Sequence, residues 1–318
     1  MKVSDLRQRR YMSFSSGGLH GFAFFGVIDA LEDILGDAYE AWCSDLRGVA
    51  GCSAGAMAAL VLTLQLDRAT RTAMFRRHLR VLPTPDIDQA IRHYGLFSMH
   101  HIRSLTHDVL TNAGFHHDLT LKELHRYTRR DLVFVASNVS RSCVEHMTHH
   151  THPSVRVVDA LCASSAVPML FRPVVVDGDH FVDGCVTEPV PRVFDDASTV
   201  RIFVDGPTTP LGEAPSWRQY AEALMSVISR TRERPADVIP IRCTGPVMDV
   251  EVQQEYIEEM WREGYVTTME WVDDVPFTST LALCVACYLR CHSRLRSGFP
   301  QQADLSQQHG HAEHQSCQ

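Results

Sequence analysis

The chain has 318 residues, of which 45% are hydrophobic and 21% charged, with 18 Gly and 15 Pro. A chain of this length buries roughly 75% of the surface its unfolded form exposes, so it needs neither disulfides nor a structural metal to fold and reads as one α/β domain with extensions. Its 30 Lys and Arg against 38 Asp and Glu leave a formal charge of −8, which supplies no basic surface for a phosphate backbone and excludes nucleic acid as the expected partner.

Residues 1–10 are charged and lack the apolar core of a signal peptide. The apolar run 281–289 falls far short of the roughly 20 residues a spanning helix needs. An unprocessed cytoplasmic protein is expected, at most peripheral on membranes, with its ten Cys as reduced thiols.

In chain order, residues 11–15 alternate as a strand, 16–21 form a glycine loop, and Phe24, Ile28, Leu31 and Leu35 mark one face of a helix that Gly36 terminates. Residues 46–50 read as a second strand, 51–55 as a tight turn, and 56–66 as a buried, nearly all-apolar helix. Ser98 before Ile102, Leu105 and Val109 signals a helix, and Thr120 with Glu123 a capping box. Strands are expected at 132–136 and 200–204, and an Asp-Gly hairpin at 174–182. Beyond Pro207, a helix capped by Ser216 runs to about residue 230, a strand is expected at 237–242, and an amphipathic helix over 249–263 ends before Gly264. The polar segment from residue 296 reads as a disordered tail. Strands alternating with helices predict a mostly parallel central sheet covered on both faces.

Gly51-Cys-Ser-Ala-Gly55 fits Gly-x-Ser-x-Gly between a strand and a helix, the setting of a nucleophile elbow. Ser53 is therefore the candidate nucleophile, placed at a helix N-terminus that favours developing negative charge. No His stands out as its base, and an Asp in an apolar site can serve when the substrate is an ester. Three Asp-Gly pairs compete. Asp177 is best explained by a hairpin turn and Asp205 by the end of a strand, whereas Asp183 lies at a strand end among apolar neighbours and is favoured. The loop Gly17-Gly-Leu-His-Gly21 offers backbone N–H groups to an anion, as an oxyanion hole does. A dinucleotide loop is disfavoured because Ser16 takes the first glycine position and the second strand ends in Gly51 and Ser53, not in a ribose-binding acid.

These elements, in this order, resemble the patatin-like phospholipases, serine lipid acyl hydrolases with a Ser-Asp dyad. The likeness runs from about residue 12 to 207 and includes Val135-Ala-Ser-Asn138, Ala163-Ser-Ser-Ala-Val-Pro168 and Phe171-Arg-Pro173. It implies a three-layer α/β/α fold, with Ser53 as nucleophile, Asp183 as base, and the amides of Gly17, Gly18 and Leu19 as oxyanion hole. Gly21, Gly51, Gly55 and Gly184 support the motifs. The implied chemistry is hydrolysis of acyl esters of glycerophospholipids or related lipids at a transiently contacted membrane, without metal, cofactor or nucleotide. On this likeness the catalytic domain spans 11–210, after a 1–10 extension and before a helical extension, 211–295, and the tail, 296–318. Departures are Ser16 for the loop's first glycine, His20 for its usual Lys or Arg, and Cys185 after the Asp-Gly pair. They leave an inactive lipid-binding or interaction protein as the alternative.

Outside these motifs, His146, His149, His150 and His152 form a dense group read as an exposed polar loop, lacking carboxylate partners at ligand spacing. Cys284, Cys287, Cys291 and His292 read as core packing on one helix face. Cys52 and Cys185 flank the candidate pair, where oxidation could inhibit it. Trp217, Leu224 and Ile228 could face a membrane, and Trp217, Trp261 and Trp271 could cover the site.

Overall fold

Five parallel strands form the centre of the sheet, in the order β10, β9, β1, β2, β4. The computed structural model describes residues 1–78, 92–206, 211–230, 238–244 and 254–273. Within them the strands are β1 (Tyr11–Phe14), β2 (Gly48–Cys52), β3 (Gly95–Phe97), β4 (Asp131–Asn138), β5 (Cys143–Met147), β6 (Met169–Phe171), β7 (Val174–Val176), β8 (Asp179–Asp183), β9 (Thr199–Asp205) and β10 (Ile239–Arg242). The α-helices are α1 (Val3–Leu6), α2 (Ala23–Leu35), α3 (Tyr39–Asp45), α4 (Ala54–Thr63), α5 (Arg68–His78), α6 (His100–Asn112), α7 (Leu121–Thr128), α8 (Val157–Ser164), α9 (Trp217–Arg230) and α10 (Gln254–Trp271). This is a mixed α/β fold with a central sheet flanked by helices.

The register around β4 positions the site. Strand β2 runs parallel to β4 and ends with Cys52 opposite Val135. Strand β8 runs antiparallel and ends with Asp183 opposite Ala136. Because β5 pairs with β4 from Phe134 to Asn138, overlapping both, β2 and β8 must share the other edge of β4. They approach end to end along that edge, and Ser53 and Asp183 stand where they meet.

Helix α4 is buried from Gly55 to Thr63, as its unbroken apolar composition requires. The hairpin turn has positive φ at both Asp177 and Gly178, the conformation of a two-residue type I′ turn. Ser216 caps α9 reciprocally: its hydroxyl accepts from the Gln219 amide at 3.3 Å, and its own amide donates to Gln219 Oε1 at 2.8 Å. The Thr120–Glu123 box at the start of α7 is also formed.

Several elements differ from the sequence expectation. Strand β2 is shifted two residues along, because it continues directly into the elbow. The N-cap of α6 is Met99, without a side-chain bond, so Ser98 does not cap it. Strand β5 and the small sheet of β3 and β6 fall where no strand was expected. Helix α10 does not stop at Gly264 but continues to Trp271. Gly264 marks a close helix crossing: a Cβ there would lie 1.9 Å from Ala23 O, and one on Gly26 would lie 1.8 Å from Trp261 O. The expected tail and the Cys284, Cys287, Cys291 and His292 group lie outside the described residues.

Candidate active site

Ser53 has φ 57° and ψ −123°, a strained conformation for a residue with a side chain, and it immediately precedes α4. The turn is tight enough to require its glycines. A Cβ on Gly51 would fall 2.1 Å from Gly55 O, and one on Gly55 would fall 2.3 Å from Ser15 O. The backbone is further tied by Ser164 of α8, whose Oγ accepts from the Ser53 amide at 3.0 Å and donates to Val135 O at 2.6 Å. Ser165 Oγ donates to Ser53 O at 3.4 Å.

The Ser53 hydroxyl donates to Asp183 Oδ2 at 2.5 Å. Asp183 Oδ1 accepts from the Cys185 amide at 2.8 Å, with Cys52 Sγ at 3.9 Å. The aspartate is wholly buried, whereas Ser53 keeps 6% of its surface exposed, so the pair is reached through the serine. Burial pushes the Asp183 carboxyl above the usual carboxylate range, against the opposing pull of its hydrogen bonds from Ser53 and Cys185. Gly184 is required because a Cβ there would meet Val135 O at 2.3 Å. The main chain is held by the Asp183 amide donating to Ala166 O at 2.9 Å and by Ser137 Oγ donating to Asp183 O at 2.8 Å. Asp177 is exposed in its turn and Asp205 ends β9; the pair with Ser53 is made by Asp183.

After Gly17, residues 18–22 form a 3₁₀ turn, with Gly18 at φ 52°. Ser16 does not have positive φ, so its Cβ brings no strain to the loop, and Gly18 takes the left-handed conformation instead. The loop abuts the elbow: a Cβ on Gly21 would lie 2.3 Å from Ala54 Cβ. The leading amides of such a short turn, those of Gly18 and Leu19 among them, lack acceptors within their own turn. His20 is not an exposed cation over the loop. It is buried, with Nε2 2.9 Å from the Tyr256 hydroxyl, which itself donates to Thr244 O at 2.7 Å. Since that hydroxyl proton is committed to a carbonyl, the proton between His20 and Tyr256 belongs to Nε2.

Cys52 and Cys185 are buried among apolar groups. Burial, reinforced by the neighbouring Asp183 charge, pushes both thiols well up, so neither supplies the thiolate that oxidation requires. They belong to a second apolar cluster, apart from the main core, that also holds Phe97, Val167, Leu170 and Met225. Ile228, half-buried, packs on this cluster, while Leu224 is exposed. Helix α9 lies against the Gly184–Val186 turn, bringing the chain after Pro207 to the site. Trp261 and Trp271 do not cover it; both pack on the main core, and Trp261 Nε1 donates to Asp29 Oδ2 at 2.8 Å.

The group at residues 146–152 is only in part the expected exposed loop: residues 148–152 form a turn in which His150 is exposed. His146 lies on β5, 2.6 Å from Glu188, and His149 and His152 are largely buried. Sequence reasoning missed the braces Ser137, Ser164 and Ser165. Only the runs 135–138 and 163–168, noted for the family likeness, contain them, since a small hydroxyl residue beside a glycine turn carries no periodic signature.

Residues 12–193 match the family profile of the Patatin-like phospholipases, and the chain belongs to that family. A curated relative, "Probable lipid hydrolase 463L" of Invertebrate iridescent virus 6, is 25% identical over 97 residues. That match spans 30% of this chain and 33% of the viral protein. Among solved structures, VipD from Legionella pneumophila aligns with TM-score 0.53 at 16% identity, covering 92% of this chain and 77% of that one. The ExoU–SpcU complex of Pseudomonas aeruginosa aligns with TM-score 0.43 at 13% identity, over 94% and 66% of the respective chains. No helix among the described residues is long and apolar enough to cross a membrane.

Proposed function

We propose that this chain is a lipid acyl hydrolase of the phospholipase A type, cleaving carboxylic esters of glycerophospholipids or related acyl lipids. The observation that carries the reading is the 2.5 Å hydrogen bond from Ser53 Oγ to a buried Asp183 carboxylate at the head of a buried helix. Family membership supports the lipid substrate.

In this mechanism Asp183 takes the hydroxyl proton as Ser53 Oγ attacks the ester carbonyl. The amides of Gly17, Gly18 and Leu19, with the positive end of α4, stabilise the tetrahedral oxyanion. Protonated Asp183 returns its proton to the departing alkoxide, leaving an acyl-Ser53 ester. Water then gives its proton to Asp183, attacks that ester, and releases the fatty acid as Ser53 is restored. The negative charge shifts from a buried carboxylate to the oxyanion, without the separation of charge that a histidine base creates. Catalysis takes place at a lipid surface contacted transiently from the cytoplasm.

The test is release of fatty acid from fluorescent phospholipid vesicles by the wild type, Ser53→Ala and Asp183→Ala. Release by the wild type, reduced by several orders of magnitude in both variants, is expected, because members of such a unit act together. Equal, negligible release by all three, with no labelling of Ser53 by a fluorophosphonate, would favour the inactive lipid-binding alternative.

A further inference from the structure

The fold gathers a second group of chemistry-bearing side chains away from the Ser53–Asp183 pair. His125 of α7, Asp131 at the start of β4 and His149 after β5 come together although they are spread over 25 positions of sequence. One ligating atom from each lies within 4.8 Å of the others. The Nδ1 atoms of His125 and His149 are 3.5 Å and 3.7 Å from Asp131 Oδ1. The two imidazoles stack with centroids 3.5 Å apart, and the His150 ring lies 3.7 Å from that of His149.

We propose that His125, Asp131 and His149 form a binding site for a divalent transition ion of the zinc class. Three observations point the same way. His125 Nδ1 lies 2.9 Å from Arg130 O, and since a carbonyl only accepts, the proton is on Nδ1 and Nε2 holds the lone pair. A backbone carbonyl fixing one ring nitrogen while the other ligates is the usual arrangement of a metal-bound histidine. His149 Nδ1 is buried with no hydrogen-bond partner among the described residues, an atom that a ligand would satisfy. Asp131 is anchored through its backbone, its amide donating to Arg47 O at 2.8 Å, while its side chain stays 46% exposed, which gives an ion a route in.

Two imidazoles and a carboxylate are a three-ligand zinc set, with His150 or water available as the fourth. Two ligand atoms each about 2.0–2.1 Å from a tetrahedral ion stand roughly 3.3 Å apart, so the three ligand atoms, within 4.8 Å of one another, must draw together on an ion. The site lies at the opposite end of β4 from the Ser–Asp pair. Asp131 faces Gly48, four ladder steps from the Cys52–Val135 pair, or roughly 13 Å along the strand. Its role is to clamp α7, β4 and the segment after β5.

The test uses the full chain carrying His309→Gln, His311→Gln and His314→Gln, to remove competing histidines at the C-terminus. Chelator-stripped protein is titrated with Zn²⁺ against a chromophoric chelator, and separately with Co²⁺, followed by visible absorption and thermal unfolding. Expected are one equivalent bound, Co²⁺ d–d bands without thiolate charge transfer, and a rise in Tm with metal. His149→Gln and Asp131→Asn should each weaken binding by roughly 100-fold or more while the metal-free Tm stays near that of the parent. Unchanged affinity in both variants, thiolate bands, or no metal-dependent change in Tm would overturn the site and leave a His–Asp ion pair only.

Discussion

The amide of Ser53 donates to Ser164 Oγ, and the same hydroxyl donates to Val135 O, so one side chain from α8 ties the elbow to the central strand. The elbow is strained at Ser53, and a strained turn persists only where its surroundings over-determine it. Ser164→Ala leaves a buried N–H and a buried carbonyl without their partner. It should destabilise the protein by about 1–3 kcal/mol in denaturant unfolding and lower kcat for ester hydrolysis with little change in KM. A variant with unchanged kcat would show that the turn keeps its shape without this brace.

The raised pKa of Asp183 makes activity and stability respond to pH in opposite directions. As a base Asp183 must be ionised, so kcat/KM should rise with pH through its folded value, on a limb above the ordinary aspartate value of about 3.9. Stability runs the other way. A group whose folded value exceeds its unfolded one contributes stability that is complete below the unfolded value and is lost as pH rises through the folded value. Asp183→Asn retains an acceptor for the Cys185 amide and a donor for Ser53, and it removes the buried charge. It should abolish hydrolysis yet unfold at a higher temperature than the wild type near pH 8, by roughly 2–4 °C per kcal/mol relieved, with the difference shrinking in acid. A limb at or below about pH 3.9, or a variant less stable at every pH, would contradict the burial of a charged base.

The crossing of α2 and α10 depends on the absence of two side chains. On helix propensity alone, Gly264→Ala stabilises by about 1 kcal/mol. The 1.9 Å approach of that Cβ to Ala23 O predicts a net loss instead, of the 1–3 kcal/mol usual for overpacking, and Gly26→Ala should behave alike. Chemical denaturation decides between the two signs.

Among the described cysteines, Cys143 is the exposed one. Limited alkylation of the folded protein should modify Cys143 before Cys52 or Cys185, and mild peroxide should leave hydrolysis unaffected by either of those two. Mass spectrometry of the modified peptides checks both; early modification of Cys52 would show that the site opens more than its burial indicates.

What could be read from the sequence follows from which features have local signatures. Gly-x-Ser-x-Gly at a strand-to-helix junction, the glycine loop and an Asp-Gly pair after apolar residues are local patterns, so Ser53, Asp183 and the loop could be singled out. Gly264 could not be assigned correctly, because a glycine that ends a helix and one that admits a second helix leave the same mark on an amphipathic pattern. Strand β5 was invisible for a similar reason: Cys143, Val144, Glu145 and His146 are all at least partly exposed, and the alternation that marks a half-buried strand never develops. The approach of His125 and Asp131 to His149 is purely tertiary and has no counterpart in spacing along the chain.

The end-to-end meeting of β2 and β8 has a bearing on how this protein can diverge. The separation of Ser53 and Asp183 is set by the lengths of two strands on one shared edge, so it changes in whole ladder steps of about 3.3 Å. A charge-assisted hydrogen bond cannot absorb such a step, and a single-residue shift would also turn the side chain to the other face of the sheet. Insertions and deletions are therefore barred from these two short segments, while the connecting loops can lengthen or shorten without altering the distance between the two side chains.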